Sequence, residues 1–324
     1  MHRRNLLASA VAFAGSLVAY GPSFGQALPS RPIRIIIPYA PGGGTDAYTR
    51  LVSEHMSKTL GRILIVEHKP GRTGNTGAQF VAQAPADGET ILVTTQSLTE
   101  ISPSVFANLK WSQSDFIPLI RGVTSPLVLV SNSGLPAKTL PDLVGWIKKN
   151  PGKLSYSSYS TGSPSHFLGF QLNQRFGLDL GHVPSKGSGY QATDLMGGHV
   201  PFGFAQMHAS RPLIQARKLN AIAVTSPGRS RFLPDVPTFA ELGHDEFTTS
   251  VWFGLTVRAG TPPAVVERLL SAAKAAHADL EIRAKLESQG LEVSGQSGPE
   301  LAADIKTQIE RWARLVKAAG FKAN

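Results

Sequence analysis

The 324-residue sequence contains no cysteine, so neither disulfide cross-links nor thiolate chemistry enters its function. It also lacks long hydrophobic runs. The uncharged, mostly apolar stretch Leu6 to Ala19 is shorter than the roughly 20 residues a helix needs to cross a bilayer. Acidic residues are few: 22 Asp and Glu stand against 32 Lys and Arg, a formal net charge of +10. The basic residues neither form runs nor interleave with aromatics, as a nucleic-acid surface requires. The charge therefore reads as a general positive field favouring anionic ligands, with no nucleic-acid partner.

Catalytic patterns are missing as well. No Gly-x-Ser-x-Gly elbow surrounds Ser163, which is followed by Pro164 and Ser165, so a serine hydrolase lacks its strained nucleophile turn. The histidines never pair at His-x-x-x-His spacing, which argues against a helix-borne zinc site. No two carboxylates sit at strand ends as acid–base catalysis favours. Neither a metal nor a cofactor is expected.

What is present begins with a leader. Arg3 and Arg4 precede the uncharged stretch, and Gly25-Gln26-Ala27 offers small residues where a signal peptidase inspects the chain. That order predicts a secretory signal over 1–27, cleaved after Ala27, and a mature chain free in a periplasm. Downstream, short β-branched runs alternate with helical patterns, predicting an α/β fold with largely parallel sheets. The strands fall at Ile33–Tyr39, Ile63–His68, Thr90–Thr95, Leu127–Ser131, Leu154–Ser158, Gly181–Pro184, Val200–Phe204, Ala221–Thr225 and Val251–Val257. Phe116–Pro126 and Gly243–Thr249 read as crossings between two domains. Domain 1 would then comprise 28–125 and 250–324 and domain 2 126–249, the layout of a clamshell. Three C-terminal helical patterns begin at Pro262, Leu280 and Gly298. The last places Leu301, Ile305, Ile309, Trp312 and Val316 on one apolar stripe, a packing face.

Three loops suit an anion. Pro38 to Asp46 ends a strand, carries Gly42, Gly43 and Gly44, and offers Thr45 as N-cap of a helix striped by Tyr48, Leu51, Val52, Met56 and Leu60. Glycines let backbone N–H groups approach a ligand, and a helix N-terminus adds partial positive charge. A side chain at Gly43 should obstruct that approach and strain any positive φ. The competing reading is a tight turn without a ligand, with Asp46 serving the helix dipole. The second loop, Ser157 to His166, leads into a helix with Ser163 as N-cap and Pro164 at its first position. Its hydroxyls serve either as caps or as ligand contacts, and His166 either packs or binds. The third, Val183 to Gly189, carries Lys186, a charge for the ligand or an ordinary solvated lysine. Ligands of open α/β sheets sit beyond the carboxyl ends of the strands, so all three loops point to one cleft.

The ordered series "PYAPGGGTD", "VEHKPGRTGNTGAQFVAQAPADGETIL", "SYSSYSTGSPSHF", "HVPSKG", "DLMGGHV", "AVTSPGRSRFLPDVPTFAELG" and "WFGLTVRAGTPPAVVERL" spans essentially the whole mature chain. In these motifs the sequence resembles the Bug/TctC extracytoplasmic receptors of tripartite tricarboxylate transporters. The resemblance implies a two-domain periplasmic-binding-protein (type II-like) clamshell that closes on a small organic acid and hands it to membrane transporter subunits. It implies ligand contacts at Tyr39, Gly42, Gly43, Gly44, Thr45 and Asp46, and at Ser158, Thr161, Gly162, Ser163 and His166, with Gln96 and Ser97 lining the pocket.

Two positions depart from the family pattern. Ser185 replaces the usual Tyr of Val-Pro-Tyr-Lys-Gly, and the strand from Val200 leads to Ala205 and Gln206 where an Asp is common. A buried ammonium left without a counter-charge is costly, so the lost acid argues against amino acids and for a carboxylate, dicarboxylate above all and aromatic among the options. The expected protein is thus a monomeric solute-binding receptor. A ligand sensor feeding a signalling system is the alternative, and a secreted hydrolase ranks behind both.

Overall fold

The computed structural model describes residues 31–152 and 154–322; the expected leader and its cleavage site lie outside these. No described helix is long and apolar enough to cross a membrane.

The first part of the chain runs through β1 (Ile33–Ile37), α1 (Gly44–Leu60), β2 (Leu64–His68), α2 (Asn75–Ala82) and β3 (Thr90–Thr95). A π-type turn over Ser97–Ile101 then leads to α3 (Ser102–Val105) and the 17-residue β4 (Phe116–Asn132). The middle continues as α4 (Leu140–Lys148), β5 (Leu154–Ser158), α5 (Pro164–Phe176), β6 (Leu180–Pro184), α6 (Ser188–Met196), β7 (Phe202–Gln206), α7 (Met207–Gln215) and β8 (Leu219–Val224). The chain closes with β9 (Ser250–Arg258), α8 (Pro263–Ala278), α9 (Leu280–Ser288), β10 (Glu292–Ser297) and α10 (Gly298–Ala318).

Strand pairing divides along β4. Its first stretch, Phe116 to Pro126, pairs antiparallel with β9, while Leu127 to Asn132 pairs antiparallel with β7 and β8. On one side β1 lies parallel between β2 and β3; on the other β5 lies parallel between β6 and β7. The strand–helix–strand segments supply the parallel pairs, and every antiparallel pair contains β4 or β9. The expected crossing at Phe116–Pro126 is therefore one half of a continuous strand. Thr225 ties the switch point together. Its Oγ1 accepts from the Leu127 amide (2.9 Å) and donates to the Thr249 carbonyl (2.7 Å).

The strands on each side of the β4 switch have their own core. Ile35, Val52, Met56, Val93, Leu255 and Ala273 pack between β1–β3–β9 and helices α1 and α8. Leu129, Leu143, Leu168, Phe204, Phe239 and Phe247 fill the middle segment. A third cluster joins the two parts of the chain: Ile101, Val105 and Phe106 meet Phe167 of α5 and Trp312 and Val316 of α10.

Candidate ligand-binding site

A cavity of about 640 Å³ opens where the carboxyl ends of β1, β2 and β3 face the start of α6 and the beginning of β9. The loop after β1 forms one wall. Thr45 is not the N-cap here: α1 starts at Gly44, and Gly43 is the cap, with extended backbone (φ −90°) and no side-chain hydrogen bond. The Gly42 amide is already used, donating to Asp46 Oδ2 at 3.1 Å. Among the described residues, the amides of Gly43, Gly44 and Thr45 have no acceptor. These are the donors a helix start leaves for an anion.

Asp46 faces away from the cavity. Burial alone would raise its carboxyl, but the Gly42 N–H, Arg50 at 3.1 Å and His68 at 3.1 Å hold it below the usual carboxylate range. It latches the glycine loop and does not line the cavity. Gly44 is the crowded position. A Cβ there would sit 2.8 Å from His208 Cε1, on α7, and 3.0 Å from Phe253 Cε2, on β9. At Gly43 a Cβ would meet nothing within 4 Å, and the positive φ expected there belongs to Gly42 (+85°).

Tyr39, Gln96 and Ser97 line the cavity beside this loop. The Tyr39 hydroxyl shares a 2.7 Å hydrogen bond with Thr95 Oγ1, and burial pushes its pKa up to about 12, so it stays neutral. Gln96 is buried with Oε1 unpartnered among the described residues. From the other side come Gln206, at the end of β7, and exposed Lys186, before α6.

The Ser157–His166 loop contributes differently from expectation. Ser158, Thr161, Gly162, Ser163 and His166 do not line the cavity; Tyr159 and Ser160 do. The reason is internal bonding. Ser158 Oγ donates to the Ser160 carbonyl (3.0 Å) and pairs with His182 Nε2 (2.7 Å). Ser163 Oγ donates to the same carbonyl (2.7 Å) and accepts from the His166 amide (3.3 Å), capping α5. His166 Nδ1 accepts from the Gly162 amide (3.2 Å), and its ring stacks on His182 at 3.8 Å. Burial lowers the pKa of His166 to about 4; burial and its neighbour lower that of His182 to about 3. The Thr161 carbonyl accepts from Thr73 Oγ1 (3.2 Å), a bond between segments far apart in sequence.

Sequence reasoning missed the Pro70–Gly74 turn after β2, Ser188, Tyr190 and Thr193 of α6, and Trp252 and Phe253 of β9, all of which line the cavity. The turn was legible in principle, because Pro70, Gly71 and Gly74 punctuate a strand-to-helix junction beside the first loop. Trp252 was read only as strand. Its indole donates to Glu100 Oε1 at 2.7 Å, and Glu100 is fully buried. Burial raises that carboxyl to about 7 against the pull of Trp252 and Arg121.

The charge balance of the lining is one-sided. Arg72 and Lys186 are present, and no Asp or Glu occurs among the described lining residues. His208, half-buried beside Gly44, is lowered to about 4 by burial and is neutral at physiological pH.

A family profile described as "Tripartite tricarboxylate transporter family receptor" matches residues 48–321. The chain belongs to this family. Protein BugT of Bordetella pertussis is 31% identical over 324 residues, covering 99% of each chain. Among solved structures, R. palustris Rpa4515 with adipate has a TM-score of 0.85 at 29% identity, covering 91% of this chain and 99% of its own. MatC from Rhodopseudomonas palustris with bound malate has a TM-score of 0.82 at 29% identity, covering 89% and 100%. The fold is that of the periplasmic binding proteins. As a member of the TctC receptors this protein is a solute-binding receptor, not an enzyme.

Proposed function

We propose that this receptor captures a small organic carboxylate, with dicarboxylates preferred, in the periplasm and delivers it to the membrane subunits of a tripartite tricarboxylate-type transporter. The observation that carries the reading is the lining: two cationic side chains, three unspent amides at the start of α1, and no carboxylate among the described residues. A carboxylate gains charge-assisted hydrogen bonds there. The ammonium of an amino acid would be buried without a counter-charge. Tyr39, Tyr190, Trp252 and Phe253 give the walls apolar and aromatic faces, suited to a carbon chain or a ring between carboxylates. The relatives with adipate and with malate are consistent with this class.

In this reading 28–125 with 250–324 forms one domain and 126–249 the other, and the chain is a monomer exported by a leader removed after Ala27. Calorimetry on the mature chain tests the ligand class. Succinate, malate, adipate and phthalate should bind at micromolar Kd or tighter, about −8 kcal/mol. Aspartate and glutamate should bind weakly. Tight amino-acid binding with none by their deaminated analogues would sink the proposal.

A further inference from the structure

We propose that Arg72 is the specificity-determining residue that separates dicarboxylates from monocarboxylates, by holding the carboxylate farther from α1; the inference rests on the carboxylate reading above.

The first observation is backbone strain. Arg72 (φ 46°) and Thr73 (φ 56°) are left-handed, and Arg217 is the only other such non-glycine among the described residues. With Gly71 (φ 141°) and Gly74 (φ 96°) they form a left-handed turn in which the Gly74 amide donates to the Gly71 carbonyl (3.0 Å). L-residues resist this region, a β-branched one most. Side chains kept in such a place need compensation from their surroundings, and an outlier of this kind is itself a pointer to function.

The second observation is how that compensation is supplied. Asn75 Nδ2 donates to the Arg72 carbonyl at 2.6 Å, and Trp111 Nε1 donates to Asn75 Oδ1 at 3.0 Å. Tyr39 reaches the Thr73 carbonyl at 3.4 Å, and Thr73 Oγ1 bonds to the Thr161 carbonyl. Every polar group just named serves the scaffold. The Arg72 guanidinium does not: among the described residues it has no carboxylate partner and no hydrogen bond, and lies 5.8 Å from the Phe106 ring. By contrast Arg34, Arg62 and Arg121 are paired with Glu67, Glu89 and Asp304. Arg72 is an exposed residue of the carboxylate-free lining, and a guanidinium left unpaired on a clamped backbone is a planar fork suited to an incoming oxyanion.

The third observation is placement. β1 and β2 are parallel neighbours in register Ile37↔His68, so the turn after β2 stands beside the glycine loop after β1. One carboxylate on the α1 amides leaves Arg72 to a second carboxylate on the same molecule. A monocarboxylate has nothing for it.

The test is calorimetry with succinate and adipate against butyrate and hexanoate, on the unmodified mature chain and on Arg72→Gly, Arg72→Asn and Arg72→Lys. Glycine and asparagine accept the left-handed backbone, so the ligand-free melting temperature should not fall. Diacid affinity should drop at least about tenfold, equivalent to about 1.4 kcal/mol, while monocarboxylate affinity changes less than about twofold. Arg72→Lys should lie between, since it keeps the charge and loses the fork. Equal losses for both acid classes, no loss, or an unmodified chain that binds both classes equally would overturn the role of Arg72 alone. An unmodified chain that binds neither class would overturn the carboxylate reading with it.

Discussion

Single residues divide into those that face the cavity and those that hold it in shape, and the two kinds should respond to substitution differently. Gly43 faces open space with an ordinary extended backbone. Gly43→Val should therefore leave the melting temperature nearly unchanged while abolishing carboxylate binding, because the new methyl groups occupy the approach to the α1 amides. Undiminished affinity in that folded variant would return the loop to a structural turn. Glu100 belongs to the second kind. Its folded pKa, raised to about 7 from 4.5 by burial, means that its contribution to stability is full below about pH 4.5 and is lost as pH rises through 7. Arg121, Asp304, Gln96 and Trp252 surround it. Glu100→Gln keeps an acceptor for the Trp252 indole and cannot ionise. The difference in unfolding free energy between the two proteins should thus change by on the order of 3 kcal/mol between pH 4.5 and 7. A stability difference that stays constant across that window would show that the folded protein does not raise the Glu100 pKa. Neither Glu100 nor its burial could be read from the sequence, since an acidic residue beside Ser97 and Thr99 looks solvated until Trp252, 152 residues away, covers it.

At the scale of elements, caps and apolar stripes were legible. Pro164 at the first helical position and Gly177 in the left-handed C-cap bound α5 as the local chemistry requires. Because Ser163 caps this helix and points away from the cavity, Ser163→Ala should cost about 1 kcal/mol of stability and leave affinity within error; a large loss of binding at unchanged stability would make it a ligand contact. β10 escaped notice because Glu-Val-Ser-Gly-Gln-Ser has little β-propensity; it pairs with β4 through contacts distant in sequence. The β4–β9 pairing carries a sharper requirement. A Cβ on Gly254 would lie 2.2 Å from the Ile120 carbonyl oxygen, a backbone atom that cannot rotate away. Gly254→Ala should destabilise by about 1–3 kcal/mol, visible in urea unfolding, and an unchanged midpoint would show that the strands relax freely.

On the proposed transport role, the whole molecule should report whether the cavity is filled. In this structure the Pro70–Gly74 turn already meets the Ser157–His166 loop, through the bond from Thr73 Oγ1 to the Thr161 carbonyl. The two sequence-distant crossings between the proposed domains are tied to each other by Thr225. A ligand that contacts both walls favours the closed arrangement by the free energy of those added contacts. Small-angle scattering on the mature chain should therefore show a smaller radius of gyration with saturating diacid than without it. Identical curves would mean a rigid cleft, or domains other than 28–125 with 250–324 and 126–249.

The sequence by itself determined what is encoded locally: the alternation of strands and helices, the helix starts and stops, the ordered motifs of a receptor family, and the scarcity of acid that favours an anion. These depend on neighbours within a few residues, where propensity and backbone sterics act. Only the tertiary structure decided which polar groups remain available. Hydroxyls at Ser158 and Ser163 and the ring of His166 looked as ready for a ligand as any others, yet packing spent them on one another and on the loop's own backbone. Arg72, with no acidic partner within reach among the described residues, was left over. A hydrogen bond goes to whichever partner the fold brings close, and that is a property of the packed chain rather than of any stretch of it.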